Sequence, residues 1–267
     1  MNGGTNALDR AADRQTSTVS GGSGNAPAPR QPSTDGAFLT VIVPVLNEAA
    51  TIADHLQALQ PLRRRGVEII LVDGGSDDGT SDLARSAVDR VLVAPRGRAT
   101  QMNAGAAASE RQILLFLHAD TLLPADADTA ILHARHRGAH WGRFDVRIDG
   151  TQPLLRLVEK MINWRSRITG IATGDQAIFV RRDLFVRAGG FPEQPLMEDI
   201  ALSKRLKRLA PPYCLRQRVS TSGRRWQKHG VLRTIVLMWS LRARYFFGAD
   251  PWQLAIRYGY TPRPPDR

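Results

Sequence analysis

The chain has 267 residues, 42% of them hydrophobic, and a net charge of +12. That length can bury a sizeable core in one large domain or two small ones, and the apolar content is ordinary for a globular protein. The single cysteine, Cys214, excludes an intrachain disulfide; no uncharged apolar run reaches the ~18 residues of an ordinary transmembrane helix, and a cytosolic location is the simplest reading.

Residues 1–37 are rich in Gly, Ser, Thr, Ala and Pro, and their large apolar residues are Met1, Leu8 and Val19. They bury too little to offset the entropy of ordering, so a disordered tail is expected, without the apolar stretch of a secretory signal. Val41-Ile-Val-Pro-Val-Leu-Asn-Glu48 then reads as a first strand running into a polar loop. Ile52, Leu56 and Leu59 recur at helical spacing, and Pro61 is expected to end that helix. Glu68-Ile-Ile-Leu-Val-Asp73 repeats the strand-and-loop pattern, followed by a Gly-rich loop and a short helix over about residues 80–87. Arg90 to Ala94 reads as a strand, Ala99 to Ser109 as an Ala-rich helix and Ile113 to Leu117 as a central strand. Pro124 to about Arg137 reads as another helix, with the proline near its first turn. The apolar runs are too short for helices and too uniform for one-sided strands. They suit parallel strands buried on both faces, so the expected fold is α/β with a doubly wound, mostly parallel sheet. Ligands of such sheets sit beyond the carboxyl ends of the strands, where Glu48, Asp73 and Asp120 fall.

Beyond Trp141 the pattern changes. Leu154, Leu155, Val158, Met161 and Ile162 suit an amphipathic helix, Gln176 to Val180 a strand, and Ile200 to Leu209 a helix with a basic outer face. Val231 to Phe247 is strongly apolar, but Arg233, Arg242 and Arg244 interrupt it, and Trp239, Tyr245, Phe246 and Phe247 add aromatic weight. It reads either as an interfacial membrane helix or as a helix docked on its own domain or on a second subunit. Residues 203–267 carry 15 basic and 2 acidic residues, essentially the whole charge excess. Such an end suits an anionic partner: a nucleotide diphosphate, an acidic acceptor, a lipid headgroup or nucleic acid; a solvated basic surface is the plain alternative. The expected plan is a tail over 1–37, an α/β domain over 38–228 and a helical, basic appendage over 229–267.

Six motifs run in order through residues 38–226: Val43-Pro-Val-Leu-Asn-Glu48, Val72-Asp-Gly-Gly-Ser-Asp77, Gly97-Arg-Ala-Thr-Gln-Met-Asn-Ala-Gly105, Leu117-His-Ala-Asp-Thr121, Gly174-Asp-Gln176 and Met197-Glu-Asp199. On these residues the chain resembles the family-2 glycosyltransferases with the GT-A fold. Within them it is similar to a small bacterial group described as arsenosugar-type, associated with radical-SAM and selenodomain proteins. The resemblance implies a transferase that takes a sugar from a nucleotide-diphospho-sugar, UDP by default, to a small or lipid-linked acceptor hydroxyl.

It also implies roles for individual residues. Asp73 contacts the nucleobase, with Pro44 and Glu48 lining the same pocket; Glu48 is equally placed to cap the helix that follows. Arg98, Gln101 and Asn103 contact the nucleotide-sugar at a helix start, Arg98 as a fixed cation for the diphosphate. Asp120 occupies the second acid of the family's Asp-x-Asp motif and is the expected ligand of Mg²⁺ or Mn²⁺. His118 replaces the first acid and is either a further ligand or a buried histidine. Asp175 and Gln176 shape the donor-sugar or acceptor pocket. Asp199 is the expected base, with Glu198 its neighbour, in an inverting displacement. Arg225 and Trp226 match the end of the Gln-x-x-Arg-Trp motif of processive members, as pyrophosphate ligand and sugar platform. Ser222 stands where the glutamine would, which argues against processive synthesis.

Other classes fit less well. A nucleotidyltransferase needs a basic, Gly-rich phosphate loop where Asn47-Glu48-Ala49-Ala50 stands, and the loop after Asp73 does not spell Gly-x-Gly-x-x-Gly. A non-enzymatic module that binds anions through the basic C-terminal quarter is the competing reading. Nucleic acid is not expected as a partner, membrane contact through the basic C-terminal helix at the inner face of the cell membrane is the peripheral option, and the oligomeric state stays open.

Overall fold

A computed structural model describes Met1 and residues 37–260. The tail expected over 1–37 lies outside the described residues apart from its two ends, as do residues 261–267. The strands are β1 (Leu39–Val45), β2 (Glu68–Asp73), β3 (Arg90–Val93), β4 (Ile113–Phe116), β5 (Thr121–Leu122), β6 (Trp141–Ile148), β7 (Ile178–Arg181) and β8 (Tyr213–Thr221). The helices are α1 (Ile52–Arg64), α2 (Thr80–Ala84), α3 (Arg98–Ala108), α4 (Ala127–His136), α5 (Pro153–Thr169), α6 (Arg182–Arg187), α7 (Glu198–Leu209), α8 (Arg224–His229), α9 (Val231–Phe246) and α10 (Pro251–Tyr258). One sheet holds the strands in the order β3-β2-β1-β4-β7-β6-β8-β5. β3, β2, β1 and β4 run parallel, as expected. β7 is antiparallel to both β4 and β6, β8 is parallel to β6, and β5 is antiparallel to β8.

The uniform apolar runs have a two-faced explanation. Alternate residues of a strand point to opposite faces. Val41, Val43 and Val45 of β1 pack with Leu56 and Leu59 of α1 and Ile131 of α4. Ile42, between them, packs with Met102 of α3 and Leu202 and Leu206 of α7. Every residue of β1 is buried, and each large apolar side chain so placed contributes about 1.5–3 kcal/mol. Gly105 lets α3 lie close to the sheet, because a Cβ there would press on Ile42 and Val72.

Pro61 does not end α1, which runs on to Arg64 with the proline inside. Its missing N–H costs one helical hydrogen bond. Leu59 and Leu62, on either side, are buried in the core and hold the last turn in place. The strand expected from Gln176 begins at Ile178, after a 3-10 turn over Gly174–Gln176.

The C-terminal helices dock on the sheet domain. Leu241 of α9 and Leu254 and Ala255 of α10 pack with Leu196, Met197 and Ile200 around the start of α7. Val231 and Ile235 of α9 also pack on Leu155, Val158 and Ile162 of α5. Among the described residues no helix is long and apolar enough to cross a membrane.

Candidate active site

The parallel strands β2, β1 and β4 end side by side, and their loops are laced together. Asp73, at the end of β2, accepts from Gly75 N (3.1 Å), Ser76 N (2.9 Å), Ser76 Oγ (2.6 Å) and Ser81 Oγ. Burial pushes this carboxyl up, but the hydroxyl and amide donors outweigh it and hold it below the ordinary range. The β1 loop is tied across to it: Asn47 N donates to Ser76 Oγ (2.9 Å), Glu48 N to Thr80 Oγ1 (2.9 Å) and Ala49 N to Asp78 Oδ2 (2.9 Å). The Glu48 carbonyl caps α1 by accepting from Thr51 N and Ile52 N, and its carboxylate accepts from Thr51 Oγ1 (3.1 Å). Pro44 is buried in β1.

A second group gathers at the ends of β4 and α7. Glu198 and Asp199 open α7, directly after Met197, whose φ is 67°. A left-handed methionine is costly and persists where its surroundings enforce it. Among the described residues, the non-glycine residues with positive φ are Asn47, Ala177 and Met197, each next in sequence to a residue singled out above. Asp199 accepts from Gly174 N and Ile200 N, both at 2.7 Å. Burial pushes the Asp199 carboxyl up, against those two hydrogen bonds. Glu198, 3% exposed, is raised to about 7 by burial, with Arg98 opposing and Asp199 adding to the shift. Arg98 pairs with Glu198 (3.3 Å) and donates to Oη of Tyr260 (2.9 Å), just beyond α10.

His118, just past β4, lines a small cavity together with Gly174, Asp199, Met102, Phe116, Ile178 and Phe191. A Cβ on Gly174 would collide with its ring, so glycine is required there. Burial and the charge of Arg98 lower His118 to about 3, against the pull of Asp175, so its ring is neutral. Asp120 lies exposed two residues on, and its carbonyl accepts from Ser222 N (3.0 Å), which brings the loop before α8 alongside. Among the described residues no three His, Cys, Asp or Glu side chains converge as a metal cage. One exposed carboxylate, Asp120, fits a hard cation that shares its ligands with phosphate oxygens and water.

Several residues singled out in the sequence are structural struts. Gln101 is buried and spends its amide on Val45 O and Val72 O, both at 2.8 Å, pinning β1 to β2. Asn103 exchanges hydrogen bonds with the backbone of Phe191. Gln176 is fully buried and closes its own turn against Thr173. Trp226 packs beside Leu155, Val158 and Val231 rather than standing free; the side chain of Arg225 lies outside the described atoms. Asp175 does reach the site, and its Oδ1 is buried without a partner.

Two residues that sequence reasoning passed over join the group. Arg165 of α5 has Nε and Nη2 buried without a partner, and Arg242 of α9 has Nε so. Burial and the charge of Arg242 lower Arg165 to about 10, with Asp175 and Asp199 opposing. The available signal was Arg242 itself, a cation inside an apolar helical run.

The fold is that of the GT-A nucleotide-sugar transferases. The sequence profile described as "Glycosyl transferase family 2" matches residues 40–184, more than half of the chain. The protein therefore belongs to glycosyltransferase family 2. A curated relative, Glycosyltransferase AglE of Haloferax volcanii, is 36% identical over 92 residues, 31% of this chain and 30% of that protein. Among solved structures, mannosyltransferase PcManGT from Pyrobaculum calidifontis in complex with GDP-Man and Mn²⁺ superposes with a TM-score of 0.58 at 22% identity, over 89% of this chain and 70% of that one. S. aureus TarS 1-349 gives 0.57 at 17% identity, over 69% and 60%. Glucosyl-3-phosphoglycerate synthase from Mycobacterium tuberculosis, in complex with Mn²⁺, UDP and glucosyl-3-phosphoglycerate, gives 0.52 at 19%, over 70% and 71%. The chain thus spans 30% of the length of the curated relative.

Proposed function

We propose that the protein is an inverting glycosyltransferase that moves a sugar from a nucleotide-diphospho-sugar to an acceptor hydroxyl, with Asp199 as base. The observation that carries this reading is the Glu198–Asp199 pair, raised by burial and fixed beside His118 and Gly174 at the strand ends. Both Asp199 oxygens are oriented by backbone N–H groups at 2.7 Å, which leaves each a lone pair for a substrate proton. The acceptor oxygen bonds to the anomeric carbon as its proton passes to Asp199. The bond from that carbon to the diphosphate oxygen breaks, and its electron pair leaves with the nucleoside diphosphate. A single displacement of this kind inverts the configuration.

Asp120 would hold a Mg²⁺ or Mn²⁺ ion, with His118 as the candidate further ligand. When bound, such an ion neutralises the charge that develops on the leaving diphosphate. Asp73 and the β1 loop, with Pro44 and Glu48, line the nucleoside side, and UDP is the default donor on family grounds. The arsenosugar-type subgroup is supported by the six motifs.

Membrane contact belongs to the same proposal. Leu157, Met161, Trp164 and Ile168 of α5 and Leu232, Val236 and Trp239 of α9 are exposed. Their i, i+4, i+7 spacing puts each set on one face of its helix. Lys160, Arg233 and Arg244 lie exposed on the same two helices, as an interfacial helix pair on anionic lipid requires.

A thermal-shift panel of UDP-, GDP-, dTDP- and CMP-sugars, with and without Mn²⁺, tests the reading on wild type and Asp120→Ala. A ligand at about 100 times its dissociation constant adds about 2.7 kcal/mol. The expected result is a Mn²⁺-dependent shift with one nucleotide, lost in Asp120→Ala. No shift with any donor would favour the second reading, a module that binds anions through its basic end.

A further inference from the structure

Among the described residues, a concentration of unspent positive charge lies in a sheltered place outside the acidic pair. Arg165 and Arg242 come from neighbouring helices, α5 and α9, whose apolar faces meet through Val158, Ile162, Val231 and Ile235. Arg242 follows Leu241, which is buried against Met197 and Ile200 at the start of α7, and the charge of Arg242 is felt at Asp199. The charges of Arg242, Asp175, Asp199 and Arg143 are felt at Arg165. Among the described residues neither guanidinium forms a salt bridge, and three of their nitrogens are buried without an acceptor.

The nearby carboxylates do not resolve this. Asp199 is aimed elsewhere by Gly174 N and Ile200 N, and Asp175 keeps Oδ1 unpartnered. By contrast Arg143 and Arg167 share a carboxylate: both bond Asp145, Arg167 through two nitrogens at 2.6 and 2.9 Å, although Arg143 Nε is buried without a partner. Two guanidinium groups brought together without a shared anion repel, and each unmet N–H carries a desolvation cost. A planar fork of donors is matched by the oxygens of a phosphate or carboxylate.

We propose that Arg165 and Arg242 form an anion site next to the proposed base, and that it binds a phosphate or carboxylate group of the acceptor. This rests on the glycosyltransferase reading and adds the acceptor's chemical class. The anion anchors the acceptor at the α5–α9 seam, so that its hydroxyl reaches Asp199. A phosphate carried by a lipid and one carried by a soluble molecule share this chemistry, and the test separates them.

The test uses the full chain in phosphate-free buffer. Isothermal titration measures binding of inorganic phosphate, glycerol 3-phosphate and short-chain dioctanoyl phosphatidic acid to wild type, Arg165→Gln, Arg242→Gln and the double variant. The Mn²⁺–nucleotide-sugar selected in the donor panel is titrated in parallel. The expected result is phosphate-group binding weakened at least tenfold in each single variant and abolished in the double variant, with donor affinity changed less than twofold. Arg165→Lys, which keeps the charge and loses the fork, should fall between. Binding of all three probes points to a soluble acceptor, and binding of phosphatidic acid alone to a lipid-linked one; both support the site. Equal binding by wild type and the double variant, or none by wild type, overturns it. Parallel loss of donor affinity overturns the acceptor assignment by giving the arginines to the donor diphosphate. Failure of every nucleotide-sugar to bind wild type would instead sink the underlying transferase reading, whatever the phosphate arm shows.

Discussion

Replacing Glu198 by glutamine separates the two members of the acidic pair. Glu198 is 3% exposed, and burial, with Asp199 adding and Arg98 opposing, raises it from 4.5 to about 7. A rise of that size is worth about 3 kcal/mol between the two protonation states. The folded protein therefore binds more protons than the unfolded chain between pH 4.5 and 7. The contribution of Glu198 to stability is fully present below pH 4.5 and is lost as pH rises through 7. Glutamine is isosteric and cannot ionise, so Glu198→Gln and wild type should differ by a constant near pH 4. By pH 8 that difference should have moved about 3 kcal/mol in favour of the variant. Referring the change to pH 4 already includes the loss of the Arg98 ion pair. Urea denaturation of both proteins from pH 4 to 8 reads this directly. Initial rates supply the functional half: kcat/KM should keep its acid limb in Glu198→Gln, because the titrating base is Asp199, whose carboxyl burial pushes up. Asp199→Asn should lose about 10²–10⁴-fold on the plateau above the acid limb, and less below it, where wild-type Asp199 is itself protonated. A stability difference between Glu198→Gln and wild type that stays flat from pH 4 to 8 would refute the reasoning.

His55 of α1 is 4% exposed with both ring nitrogens unpartnered, and burial lowers it to about 4 against the pull of Asp120. The unfolded chain protonates this histidine first, so its contribution to stability is lost as pH falls from about 6.5 towards 4. His55→Leu should be about 1–3 kcal/mol more stable than wild type at pH 5, with a smaller gain at pH 7.5; equal acid sensitivity in both proteins would count against this. Wild type should co-sediment with phosphatidylglycerol vesicles in a salt-sensitive way, and the double substitution Trp164→Ser/Trp239→Ser should cut that at least tenfold. Wild type remaining in the supernatant would exclude the two-helix membrane face.

The struts show how residue type misleads about role. Gln101 and Asn103 stand in a motif, and nothing in the sequence says that their amides face the backbone of Val45, Val72 and Phe191. Gln176 is likewise spent on its own turn. Polar side chains beside a ligand cleft satisfy backbone groups as readily as ligands, and the choice depends on neighbours distant in the chain. Pro61 makes the same point for local structure, since tertiary burial of Leu59 and Leu62 overrides a helix breaker.

What the sequence by itself determined was the parallel half of the sheet and the family. Each of β1, β2 and β4 is a short apolar run ending in a polar loop, a pattern read within a few residues and independent of the rest of the chain. The acidic residues at those ends were legible for the same reason. Tertiary structure alone decided the antiparallel return of β7, the cross-bracing of the Asp73 loop, and the docking of α9 and α10 against α7. It also decided the meeting of Arg165 with Arg242, and of Arg98 with Glu198 and Tyr260. Arg165 and Arg242 are 77 residues apart in sequence, and their proximity follows from how two helices pack, which no local spacing encodes.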